Sequence, residues 1–168
     1  KPRDVYANSS ATDDVYISSS VTLSANLSVT NFEIKTDQIA TINSGGSLIV
    51  SGTSSGNITY NVNVADTAWH LITSPVVGEQ YDDTWANSNL IVDGSNTNRG
   101  ISTYQNGTLD TDEGGSDTAT GPWVYMLDGE SGTFGSGTGY SLKRTSSGTY
   151  SFTGTYPTTS ATPAITQD

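Results

Sequence analysis

The sequence predicts an all-β protein: a short N-terminal β-solenoid over residues 15–64, continuous with a jelly-roll-like β-sandwich over residues 65–156. Three observations carry that expectation. Pairs of apolar residues separated by one small or polar residue recur through the first part, which gives each short strand one apolar and one polar face. Longer aromatic and β-branched runs, each closed by Gly, Pro or Asn, recur through the second part, as strands followed by turns do. Finally, Ser and Thr make up 50 of the 168 residues while only 14% are charged, so hydroxyls more than ions must cover the surface.

Taken in order, residues 1–14 are polar with isolated Val5 and Tyr6, and read as an N-terminal arm. From there the pairs Val15/Ile17, Val21/Leu23, Leu27/Val29, Phe32/Ile34, Ile39/Ile42, Leu48/Val50 and Ile58/Tyr60 follow at short intervals. Such a period suits coils that stack their inward residues on the coil before. An antiparallel meander is the alternative, but its strands run longer and its turns more often carry Asn-Gly or Asp-Gly. The run Ile58–Val64 alternates strictly and reads as the strand that leaves the solenoid for the sandwich. The sandwich strands then follow as Trp69–Ile72, Ser102–Tyr104, Trp123–Tyr125, Tyr140–Leu142 and Tyr150–Thr155, joined by acidic, Gly-rich loops. Residues 157–168 are Thr- and Pro-rich and read as a linker or an extended arm.

Charge narrows the partners. The formal net charge is −11, of which residues 1–64 carry −2 and residues 65–168 carry −9. Such a surface repels phosphate backbones and anionic head groups, so neither nucleic acid nor membrane is an expected partner. No apolar run approaches the roughly 20 residues that span a bilayer. No signal-peptide pattern opens the chain, as expected of a mature or trimmed form. Without cysteine there is no disulfide, thiol chemistry or cysteine zinc site.

The runs Trp69-His70-Leu71-Ile72-Thr73-Ser74-Pro75, Gly137-Thr138-Gly139-Tyr140 and Phe152-Thr153-Gly154-Thr155 stand in an order and spacing that resemble an all-β module of secreted surface proteins of Bacteroidota, of the type exported by type IX secretion. The resemblance covers residues 45–156 and implies two packed sheets with long loops at one end, on the cell surface or outside the cell. The chain departs from the pattern after Thr155, where a second Trp-containing strand ending in Asn-Pro is replaced by Pro157–Ala164. An edge left open there, or arms at the two termini, would allow assembly with other copies or neighbouring domains by strand addition. Frayed termini are the plainer reading. The resemblance also gives meaning to Asp66-Thr67-Ala68 and Asp117-Thr118-Ala119, which match the Asp-Ser/Thr-aliphatic pattern of O-glycosylation in that group and make Thr67 and Thr118 candidate glycan sites. It argues against a eukaryotic use of the sequons at Asn8, Asn26, Asn57 and Asn106.

The residues themselves bear on three chemistries. Sugar-binding surfaces stack exposed aromatic faces on pyranose rings, and Tyr81, Trp85 and Tyr104 lie in or beside polar loops where a large aromatic must pack or bind. For Trp85 an anchoring role in its loop competes with stacking, and Trp69 and Trp123, inside alternating strands, read as core. Calcium takes six to eight oxygens, and Asp110, Asp112, Glu113 and Asp117 crowd one Gly-containing loop. Their spacing is not that of an EF-hand, and a solvated acidic loop explains them as well; Asp82-Asp83 is a weaker candidate still. Catalysis has least support: the lone His70 sits in a strand, no nucleophile elbow is present, and no apolar pocket is legible around any carboxylate. The expectation is therefore a non-catalytic extracellular structural or adhesive module, with a carbohydrate-binding module of a secreted polysaccharide-active protein as the alternative.

Overall fold

A computed structural model describes residues 13–94, 97–104 and 123–158, and the fold is all-β with one short helix among them. Chain contacts divide these residues into two compact units. The first holds residues 13–63, Pro75–Glu79 and 149–158, and the second holds Val64–Ser74 with the described part of Gln80–Gly148. The units are not contiguous in sequence, since residues 75–79 and 149–158 belong with the first.

The first unit begins with β1 (Asp14–Ile17), β2 (Val21–Leu23), β3 (Asn26–Val29), β4 (Asn31–Ile34), β5 (Ala40–Ile42), β6 (Ser47–Val50), β7 (Ser54–Ser55) and β8 (Asn57–Val64). Pairing is parallel and in register: β1, β2 and β3 lie against β4, β5 and β6, and β4 and β5 lie in turn against β7 and β8. Register places like on like, with Ile17 on Ile34, Leu23 on Ile42, Leu27 on Leu48 and Val29 on Val50. These apolar residues are buried except Val50, and Phe32, Ile42 and Ile58 are almost fully so. Each such side chain contributes about 1.5–3 kcal/mol by leaving water.

Polar residues between the strands stack as well. Asn43 donates to Ser24 Oγ at 3.3 Å, Asn61 donates to Asn43 Oδ1 at 3.2 Å, and Ser151 donates to Asn61 Oδ1 at 2.8 Å. Asn31 donates to Asp14 at 2.7 Å and accepts from both the backbone N–H and the hydroxyl of Thr53 at 2.8 Å. The abundance of Ser, Thr and Asn thus has a structural use, since these hydroxyls and amides find their partners on the neighbouring layer.

The last described strand, Gly148–Thr155, joins this unit beside β8. Contacts of Thr59 with Thr153 and of Asn61 with Ser151 run in opposite directions along the two strands, so the pair is antiparallel. Tyr150 and Phe152 are fully buried there. Thr155 and Val77 exchange two backbone hydrogen bonds of 2.9 Å, and Tyr156 Oη accepts from Val50 N–H at 3.2 Å and lies 3.3 Å from the Leu48 carbonyl. In the Phe-Thr-Gly-Thr run the glycine is a steric requirement: a Cβ on Gly154 would drive into the Val77 carbonyl.

The second unit contains β9 (His70–Ile72), β10 (Gln80–Tyr81), α1 (Asp83–Ser88), β11 (Asn98–Tyr104), β12 (Trp123–Leu127), β13 (Gly132–Thr133) and β14 (Tyr140–Leu142), which makes Gly148–Thr155 β15. One antiparallel sheet has the order β12-β11-β14-β9, and β10 pairs with β13 in a small second one. The helix corrects the expectation of a polar loop around Trp85. Asp82 caps it, accepting from the Trp85 N–H at 2.8 Å, and Asp83 places a negative charge in its first turn. Trp85, 7% exposed, packs edge-on against Phe134 with ring centres 4.8 Å apart, and Tyr81 and Tyr140 meet the same ring at 5.2 and 4.9 Å.

Arg99 on β11, 7% exposed, forms ion pairs with Asp83, Asp93 and Asp128. Burial works against its charge, but the hydrogen bond to Asp83 and the charges of Asp93 and Asp128 outweigh it and hold the guanidinium above the usual arginine pKa.

Two sets of variants test these constraints by chemical denaturation. Gly154→Ala should cost about 2 kcal/mol or more through overpacking. Gly56→Ala should also destabilise, because Gly56 has φ +88° and a Cβ there would lie 2.7 Å from that of Ile34. Arg99→Met should cost about 2–4 kcal/mol, less than a fully buried pair because its three aspartates regain water. A wild-type midpoint in any of the three would contradict the packing described.

Candidate functional site

The four-stranded sheet of the second unit has two unlike faces, and register sorts them. Ser102 stands opposite both Tyr125 and Ser141, and Ser141 stands opposite Leu71, so these four side chains share a face. Tyr104 and Trp123, a directly opposed pair two residues further along, share it too. Thr103, Val124, Tyr140 and Ile72 belong to the other face, where Tyr140 enters the aromatic cluster around Phe134.

The first of these faces carries unusually large apolar groups in the open. Leu71 is 76% exposed, Tyr104 56% and Trp69 45%, while Trp123 and Tyr125 are half-buried. Edge contacts hold the rings: Trp69 meets Tyr125 at 6.0 Å and Tyr104 meets Trp123 at 5.2 Å, with interplanar angles of 64° and 78°. Lys143 Nζ lies 5.7 Å from the Trp69 ring centre. Trp69 precedes β9 at one edge of the sheet and Tyr125 lies on β12 at the other, so their contact bridges the strands between. That explains why Ser102 and Ser141, on an outward face, are 2% and 6% exposed. Small side chains in the middle strands form a floor, and the rings close over it.

This arrangement corrects the reading of Trp69 and Trp123 as core. The strand pattern is apolar at both parities, as Trp69-His70-Leu71-Ile72 and Trp123-Val124-Tyr125-Met126 show. Alternation alone cannot say which parity faces inward. Packing decides it, with Leu142, opposite His70, fully buried.

Compared with known protein families, curated proteins and solved structures, the chain matches none.

The three residues singled out for sugar binding do not form one site. Tyr104 is on the outward face, Trp85 lies in the core with its ring enclosed, and Tyr81, half-buried, lines a cavity walled mostly from the other face of the sheet. Asp82 and Asp83 are used as helix cap and Arg99 partner. Thr67 is exposed in a turn ordered by Asp66, whose Oδ1 accepts from the Ala68 N–H at 2.9 Å and lies 3.1 Å from His70 Nε2. Thr118 and the candidate calcium ligands Asp110, Asp112, Glu113 and Asp117 lie outside the described residues, as do residues 1–12 and 159–168 of the expected arms. Among the described residues no group of three or more His, Asp or Glu side chains could hold a metal ion, and no helix is long and apolar enough to cross a membrane.

Tyr81 titrates late. Burial foremost, then the neighbouring Tyr140 and Glu130, raise its phenol above the ordinary value of 10.0. A phenol whose native pKa lies above its unfolded one contributes stability that is complete below about pH 10 and lost as pH rises through the native value. Tyr81→Phe should therefore remove one late tyrosinate transition from an absorbance titration and flatten the alkaline fall in stability. Unaltered curves would show that Tyr81 is not the perturbed group.

Proposed function

We propose that this chain is a non-catalytic structural and adhesive module of an extracellular bacterial surface protein, and that it adheres by holding neutral polysaccharide on the aromatic face of the β9–β14–β11–β12 sheet. The observation that carries the reading is the exposure of Trp69, Leu71 and Tyr104 on one sheet face, flanked by Trp123 and Tyr125. Pyranose rings present C–H-rich faces that stack on such side chains, and neighbouring hydroxyls orient on polar groups. The net charge of −11 disfavours acidic polymers. In this reading the in-register parallel strands of the first unit form a short β-solenoid that serves as a stiff support, and the second unit is a jelly-roll-like sandwich that presents the adhesive face. Exposed Thr67 fits a glycan site on an exported protein.

A second reading concerns partners. Strands β1, β2 and β3 each stand at the edge of their sheets among the described residues, and a strand from another copy or a neighbouring domain could extend them. Light scattering over a range of concentrations would reveal end-to-end association, and a strictly monomeric particle would discard this reading.

Affinity electrophoresis in neutral glucans, xylans and mannans tests the adhesive face. At least one should retard the wild type, and Trp69→Ala and Tyr104→Ala should each weaken binding about tenfold, in line with the loss of one aromatic contact, while costing only about 0.5–1.5 kcal/mol of stability and leaving the chain folded. Free migration of the wild type in every gel would sink the proposal.

A further inference from the structure

A cavity of about 350 Å³ is walled mostly from the sheet face opposite the aromatic row, by Thr103, Val124 and Tyr140, and by Tyr81, Glu130 and Ser131, and it also touches Ser102 and Tyr125. Its parts are well fixed. Tyr81 and Tyr140, with ring centres 6.0 Å apart, both rest edge-on against the buried Phe134. Tyr140 Oη accepts from the Gly135 N–H at 2.8 Å. The Glu130 carboxylate accepts from the Leu127 N–H at 2.8 Å, while the Glu130 N–H donates to the Leu127 carbonyl at 3.1 Å, so backbone and side chain grip one turn.

Among the described residues the cavity lining carries no positive charge. Glu130 has no cationic partner among the described residues, and the nearby bases are committed elsewhere. Arg99 is held by three aspartates, Arg144 donates to the Asn89 carbonyl at 2.5 Å, and Lys143 lies over Trp69 on the opposite face. An anion would meet the carboxylate without compensation. A cationic nitrogen would meet the carboxylate, two electron-rich rings and the hydroxyls of Thr103 and Ser131.

We infer that this cavity binds an alkylammonium group carried on a small polar skeleton. The volume is at the lower end of small-ligand pockets and suits one sugar-sized moiety rather than a long chain. An amino sugar and a quaternary alcohol amine share the recognised charge. They differ in whether the nitrogen can donate hydrogen bonds to Glu130.

Isothermal titration of the whole chain with two matched pairs tests the inference: glucosamine against glucose, and choline against its neutral isostere 3,3-dimethylbutan-1-ol. At least one cation should bind at millimolar concentration, about tenfold or more tighter than its neutral partner, as expected for a carboxylate and aromatic rings acting together. The preferred cation identifies the source, with glucosamine favouring an amino sugar and choline a quaternary amine. Glu130→Gln, at an exposed position, should abolish the discrimination without shifting the unfolding midpoint, and Tyr81→Phe, which keeps the ring, should preserve it. Equal binding within both pairs, absence of binding by both cations, or discrimination that survives Glu130→Gln would overturn the inference. The result is independent of the adhesive face, because ammonium binding without retention on neutral glycans, or the reverse, separates the two.

Discussion

One buried guanidinium organises the second unit. Arg99 projects from β11 and is met by Asp83 from the first turn of α1, by Asp93 ahead of the strand and by Asp128 from the turn after β12. Asp83 also accepts from the Gly129 N–H at 3.1 Å, which binds that same turn to the helix. Each aspartate is at least partly exposed, and alone each ion pair would contribute little. Gathered on one desolvated cation they act together, and without it three like charges would stand close to one another. The sheet face that carries Tyr104 and the helix that carries Trp85 are both fixed through this one residue.

The first unit rests on a different constraint, repetition in register. Parallel strands that place Ile on Ile and Leu on Leu leave little room for a change of size in one layer without a response in the next. Asn and Ser at the corners continue the same logic in polar form, through Ser24, Asn43, Asn61 and Ser151. Glycines enter where a neighbouring layer leaves no space for a Cβ, as at Gly56 beside Ile34.

Much of the strand content was legible in the sequence, because apolar-x-apolar spacing needs no tertiary information. Val15/Ile17, Leu27/Val29 and Phe32/Ile34 all lie in strands, and the longer runs from Trp69, Trp123, Tyr140 and Tyr150 all contain them. The helix over Asp83–Ser88 was not legible, since six residues are too few for a 3.6-residue period, although the Asp82 cap is a recognisable start. The outward face was missed because Trp69 and Trp123 lie in strands that are apolar at both parities. The signal that marks it is Ser102 and Ser141, small polar residues on the same side of the central strands as large rings at the edges. Tyr81 was found for its loop setting, whereas its partner Glu130 was not, because nothing local ties residue 130 to residue 81.

The placement of the three tryptophans has an optical consequence. Trp85 is enclosed in an apolar cluster and will emit at short wavelength, while Trp69, open to water with the Lys143 ammonium near its ring, will emit further to the red, and Trp123 lies between them in exposure. The native spectrum is thus a composite whose red edge reports on the outward sheet face and whose blue edge reports on the integrity of the core. The molecule carries its own two-channel probe, in which surface occupancy and unfolding can be told apart in one emission scan without a label.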